Sequence, residues 1–166
     1  MKVDGRHYRT IWRDGDRVMI LDQTLFPHRF EVAALETVAD AARAIRDMLV
    51  RGAPLIGATA AYGMALAMRD DPSDASVTRA VSQLGATRPT AINLRWALDR
   101  VHRRLAPLPA AERLATAWDE AAAICDEDVA INAAIGDNGL AIIRDIAARK
   151  SGPVNILTHC NAGWLA

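Results

Sequence analysis

Near Thr37 the apolar period of this chain changes from two to helical, and that change divides what the chain can fold into. Upstream, Tyr8-Arg9-Thr10-Ile11-Trp12 and Arg17-Val18-Met19-Ile20-Leu21 are rich in β-branched and aromatic residues, with Arg13-Asp14-Gly15-Asp16 between them. Asp-Gly between two such runs predicts a β-hairpin. Leu25-Phe26-Pro27-His28 ends the extended part, because proline cannot donate to a sheet ladder. Downstream the pattern is helical to about residue 147. Thirty-three alanines against eight aromatics favour helix over an all-β sandwich.

The helices have readable ends. Thr37-Val38-Ala39-Asp40 resembles a capping box with a short acid. Val38, Ala41, Ala42, Ile45, Met48 and Leu49 then form one buried face. Arg51-Gly52-Ala53-Pro54 stops that helix and opens the next, which runs to about Met68 and is apolar almost all round. Its Gly57, Ala58, Ala60, Ala61 and Gly63 allow close packing. A third helix is predicted over about 75–84. Thr90 is placed to cap a fourth that carries Leu94, Ala97, Leu98, Val101 and Leu105. A long helical stretch covers about 110–147, with Gly136 as a candidate break.

Val154-Asn155-Ile156-Leu157-Thr158 has the composition of a buried strand, and Cys160–Ala166 reads as a glycine turn and a helix start. A lone buried strand leaves backbone groups unpaired. The expectation is therefore that the polypeptide is cut near the start of an α/β domain, the alternative being a short strand that joins the N-terminal hairpin. Residues 1–150 are read as a hairpin and helical domain, and 151–166 as the start of the next.

Twenty basic and twenty acidic side chains cancel, which argues against a general nucleic-acid binder. No apolar run approaches the roughly 20 residues that span a bilayer, and MKVDGRHYRT has no signal-peptide core. Cys125 and Cys160 cannot make a disulfide framework, so a cytoplasmic protein with reduced thiols is expected.

Three segments can carry chemistry. Arg51 stands before a helix start, where a forked cation and free N–H groups suit an anion; the alternative is a helix corner with a solvated Arg. Thr87-Arg88-Pro89-Thr90 repeats the theme, and two such arginines could clamp one phosphate. Thr158-His159-Cys160-Asn161 follows the expected strand, where open α/β sheets bind ligands. Cys160 near a helix start would be an activated thiol, the alternative being a buried structural cysteine. Cys125-Asp126-Glu127-Asp128 reads as a solvated face, and Trp12, Trp96, Trp118 and Trp164 as core or interface residues. No spacing suits a zinc site.

Taken together, RGAPLIGATAAYGMALA at 51–67, TRPTAINLRWAL at 87–98, DEDVAINAAIGDNGL at 126–140 and ILTHCNAGWLA at 156–166 resemble the methylthioribose-1-phosphate isomerase family. That family is grouped with the regulatory subunits of initiation factor 2B and with ribose-1,5-bisphosphate isomerases. The resemblance covers the whole chain, including LDQTLFP at 21–27, while family members are about twice as long. It implies a C-terminal Rossmann-like domain beginning near residue 151. It also implies a homodimer, or association with the missing half. The implied reaction converts 5-methylthioribose 1-phosphate to 5-methylthioribulose 1-phosphate in methionine salvage, without a metal or redox cofactor. By motif, Arg51, Gly52 and Ala53 bind substrate, Arg88 holds the phosphate, and Cys160 is the catalytic cysteine. The family's catalytic Asp has no position here. A non-catalytic scaffold of the initiation-factor type, or an isomerase of a related ribose phosphate, are the competing readings.

Overall fold

The computed structural model describes residues 2–159, 163 and 165. Among the described residues, two small antiparallel sheets precede five α-helices. Strands β1 (Lys2–Val3) and β2 (Arg6–His7) pair alone, and β3 (Ile11–Asp14), β4 (Arg17–Leu21) and β5 (Val32–Leu35) form a sheet in that order. The hairpin forms around Gly15, whose φ of +63° suits the first position of a two-residue turn, with Asp14 opposite Arg17. Strand β5 is a correction. The segment after Pro27 returns to the sheet before the first helix, pairing Leu35 with Val18 and Val32 with Leu21.

Helix α1 (Val38–Arg46) starts with the expected capping box: the Asp40 N–H donates to Thr37 Oγ1, and the Thr37 N–H donates to Asp40 Oδ2. Ala41, Ala42, Ala44 and Ile45 are buried, but Met48 is 47% exposed, because the chain leaves the helix there with a left-handed φ of +61°. Helix α2 (Ala53–Asp70) is the centre of the molecule. Every residue from Leu55 to Met68 is buried, as an all-round apolar helix must be, and α1, α3 (Asp74–Gly85), α4 (Ile92–Leu105) and α5 (Ala110–Arg149) all pack on it. Its glycines allow this: a Cβ at Gly57 would lie 3.0 Å from the Asn93 carbonyl oxygen, and one at Gly63 would lie 3.0 Å from Ala41 Cβ.

Charged side chains hold the ends. Arg69 donates to the carbonyls of Asp16 and Glu36, tying the hairpin tip to the C-terminal end of α2. Buried Arg113 donates to the carbonyls of Pro72 and Leu108 and pairs with Asp74, tying the start of α5 to the same end.

Two further expectations fail. Helix α5 runs unbroken through Gly136, since a single glycine costs a helix only about 1 kcal/mol. Residues 153–159 form no strand among the described residues, and Ile156 and Leu157 are 71% and 98% exposed. No described strand lies alongside Val154–Thr158, and a strand needs a neighbour for its backbone groups.

Candidate functional site

The site starts from two helix ends that no side chain caps. Thr37 caps α1 and Ser73 caps α3, but α2 begins after Gly52 and α4 after Ala91, both without a side-chain hydrogen bond. Thr90, expected as the cap of α4, stands one residue too early. An uncapped start leaves first-turn N–H groups directed out of the helix end, with the positive pole of the macrodipole behind them. Helix α5 also lacks a cap, but it starts at the opposite end of the bundle, beside the α2–α3 loop.

The α2 and α4 starts share one end. Gly57, in the second turn of α2, touches Asn93 in the first turn of α4. Arg51 directly precedes Gly52, and Arg88 lies in the loop before α4. Arg51 is exposed and Arg88 half-buried, and neither side chain is hydrogen-bonded or ion-paired among the described residues. The two helix starts are brought together. Arg88 lines a cleft of about 370 Å³ between α3 and α4 with Ser82, Gly85, Leu94, Arg95 and Asp99; Arg51 does not.

Gly52 has φ +90° and ψ 140°, a backbone conformation that L side chains rarely adopt. The turn it makes is braced by Gln23, a residue sequence reasoning passed over. Gln23 follows β4 in a 3-10 turn that Asp22 caps, and it is 7% exposed. Its backbone N–H donates to Leu49 O at 2.9 Å, and its Nε2 donates to Leu165 O at 2.8 Å. One residue, through its backbone and its side chain, thus ties the α1–α2 corner to residue 165. An amide inside the apolar-flanked LDQTLFP run was the available signal, since a buried polar group needs partners. Cys160, the expected catalytic cysteine, lies outside the described residues; His159 is exposed.

The other cysteine has a different role. Burial pushes the Cys125 thiol up to about 11, and burial likewise raises the Tyr62 phenol to which it is hydrogen-bonded. Asp126 and Glu127 beside it are exposed, as expected of a solvated face, and both are ion-paired: Asp126 pairs with Arg9 at 2.7 Å, and Glu127 takes both Nη atoms of Arg100. Trp118 is a core residue tilted against Tyr62 with Arg13 over its face, while Trp96 is 45% exposed.

This fold is shared with known proteins. Residues 49–166 match the Initiation factor 2 subunit family, and the chain belongs to that family. It is 63% identical, over its full length, to a methylthioribose-1-phosphate isomerase of Methylorubrum extorquens, of which it covers 46%. The chain spans about half the length of the curated relatives it matches. Among solved structures, 5-methylthioribose 1-phosphate isomerase from Pyrococcus horikoshii matches 73% of this chain and 36% of its own, at 37% identity and TM-score 0.68. The eIF-2B delta subunit from A. fulgidus matches 74% of this chain and 38% of its own, at 34% identity and TM-score 0.68.

Proposed function

We propose that this chain supplies the N-terminal half of an aldose–ketose isomerase that converts 5-methylthioribose 1-phosphate to 5-methylthioribulose 1-phosphate. The observation that carries the reading is the pair of uncapped helix starts at one end of the bundle, each preceded by an arginine without a partner among the described residues. Anion binding at such ends needs no other device. The 63% identity to a relative of that name supplies the substrate class.

In this reading Arg51, Gly52 and Ala53 hold the sugar phosphate at the α2 start. Arg88 turns out of its cleft to take the phosphate from the α4 side. The C1 phosphate blocks the spontaneous ring opening of free aldoses, so an acid must protonate the ring oxygen. That acid belongs to a second domain, of which residues 151–166 are the opening segment and whose first strand forms only beside a neighbour. The Cys160 thiol then helps move hydrogen from C2 to C1 in a pocket from which water is excluded. The ring opens with C1 as its phosphorylated oxocarbenium; C1 gains the hydrogen that C2 loses, the C2 hydroxyl gives up its proton to become the carbonyl, and the phosphate stays on C1, so the reaction is redox-neutral within the sugar.

The likeness to the eIF-2B delta subunit supports a second reading, a scaffold that binds without turnover. The test measures conversion of 5-methylthioribose 1-phosphate by the 166-residue chain, alone and mixed with the C-terminal half of the Methylorubrum relative. The isomerase reading expects turnover only in the mixture, abolished by Cys160→Ser. Binding without turnover in the mixture favours the scaffold.

A further inference from the structure

Burying an amide costs free energy unless its polar atoms are bonded, and an apolar side chain would fill the same space without that cost. The buried Thr59 hydroxyl is satisfied inside its own helix, by Leu55 O. The buried Gln23 amide instead reaches Leu165, 142 residues along the chain. Its backbone N–H meanwhile holds Leu49 O, two residues before Arg51. Gln23 is thus the point where the substrate-side turn of α2 and the segment after Cys160 meet the same residue.

The platform under that residue is rigid. Leu21, immediately before the turn, is fully buried, and the Asp22 N–H donates to Glu31 O at 3.0 Å. The Asp22 carboxylate accepts from the Thr24 N–H and from the Thr24 hydroxyl, which closes the 3-10 turn around Gln23. The segment it holds is not rigid by itself. Residues 155–159 are exposed and so are not held by packing, whereas Leu165 is half-buried where Gln23 meets it. Cys160 stands five residues before Leu165. Five residues of chain span at most about 17 Å, so an anchor at Leu165 limits how far Cys160 can stray from the α1–α2 corner.

We infer that Gln23 is a positioning residue for the isomerisation: its side-chain amide, by holding Leu165 O, sets the segment that carries Cys160 against the Arg51–Ala53 turn. The inference rests on the isomerase reading of those two segments. Moving hydrogen between C1 and C2 requires the thiol to be placed closely against a sugar whose phosphate is held at the turn, and a misplacement of about 1 Å can cost about 100-fold in rate. The two ties of Gln23 are separable. A side-chain substitution leaves the backbone N–H on Leu49 O, so the turn that binds phosphate keeps its brace and only the hold on Leu165 is lost. Substrate binding should then persist while the chemical step slows.

The test fuses this chain to the C-terminal half of the Methylorubrum relative and compares the parent with Gln23→Met, which keeps the side chain's length and removes its donor. With 5-methylthioribose 1-phosphate, Gln23→Met should lower kcat about 10–100-fold and leave KM within about twofold. Ser73→Ala is the control: it removes another side-chain hydrogen bond, the cap of α3 on the Ser76 N–H, at the opposite end of α2. It should lower the melting temperature and leave kcat and KM unchanged. A second readout needs no turnover. In the isotope-labelled 166-residue chain, Gln23→Met should move the Leu165 carbonyl 13C resonance and leave the Ala53 and Leu55 amides in place. A Gln23→Met enzyme with the parent's kcat, a loss of kcat shared equally by Ser73→Ala, a loss that appears in KM instead, or an unmoved Leu165 resonance overturns the positioning role and leaves the isomerase reading standing. A fused parent that binds the sugar phosphate without turnover defeats the isomerase reading, and the positioning role with it.

Discussion

Replacing Gly57 by alanine tests the geometry on which the site rests. Alanine gains about 1 kcal/mol over glycine in a helix interior. Against that gain, the new Cβ stands 3.0 Å from the Asn93 carbonyl oxygen and 3.5 Å from Ala97 Cβ. The nearest atom is backbone, so no rotamer change relieves the contact; the first turn of α4 must retreat by a few tenths of an ångström. Leu94 and Leu98, 1% and 2% exposed, anchor that turn and resist. Overpacking of this kind costs about 1–3 kcal/mol. Gly136→Ala makes the same helix gain and meets no atom within 4 Å. The propensity change is common to both variants, so the difference between them isolates the contact. Urea unfolding of the two should place Gly57→Ala about 1–3 kcal/mol below Gly136→Ala, with similar m-values. The retreat of α4 also moves the Arg88 loop away from Arg51, so phosphate binding should weaken in step. A Gly57→Ala variant as stable as Gly136→Ala would refute the close approach of the two helix starts.

Other consequences are open to measurement. Gly52→Ala should lose about 1–3 kcal/mol by forcing a side chain into a glycine conformation, and anion binding at the α2 start should fall with it. Arg113→Ala should cost about 1–3 kcal/mol, because the half-buried Pro72 and Leu108 lose a charged donor to their carbonyls, and a thermal melt would read this. Burial opposes ionisation of Asp40, but bonds from Thr37, the Glu36 backbone and Arg43 outweigh it and lower its pKa below 3.8. A depressed carboxyl stabilises the fold above its unfolded value and loses that contribution as pH falls through the folded one. Asp40→Asn should therefore narrow its stability gap to the parent chain below about pH 4. In a Cys160→Ser background, Cys125 should alkylate at pH 8 at least about 100-fold more slowly than a free thiol, since burial raises its pKa to about 11 and hides it. Equal rates would contradict its packing against Tyr62.

Local signals were legible in the sequence, and long-range ones were not. The Gly15 hairpin, the Thr37–Asp40 capping box and the buried face Leu94, Ala97, Leu98, Val101, Leu105 depend on neighbours within a few residues. Val32-Ala33-Ala34-Leu35 has little strand preference of its own and becomes β5 only by pairing with β4. Gln23 and Arg113 read as ordinary polar residues until the fold brings Leu49, Leu165, Pro72 and Leu108 to them. Of the candidate site, the motifs marked the two arginine-bearing turns. That their helix starts meet at Gly57 and Asn93, while Arg88 faces a separate cleft, needed three-dimensional contacts.

The central claim is that the α2 and α4 starts act as one phosphate site. Titrating the isotope-labelled chain with 5-methylthioribose 1-phosphate, and separately with inorganic phosphate, while following backbone amide shifts, tests it most directly. Gly52, Ala53 and Leu55 should move together with Ala91 and Asn93, along one binding curve. Arg51→Ala and Arg88→Ala should each weaken that curve by about tenfold or more, as a charged hydrogen bond is lost. Movement confined to one helix start, or two curves with different midpoints, would contradict the claim.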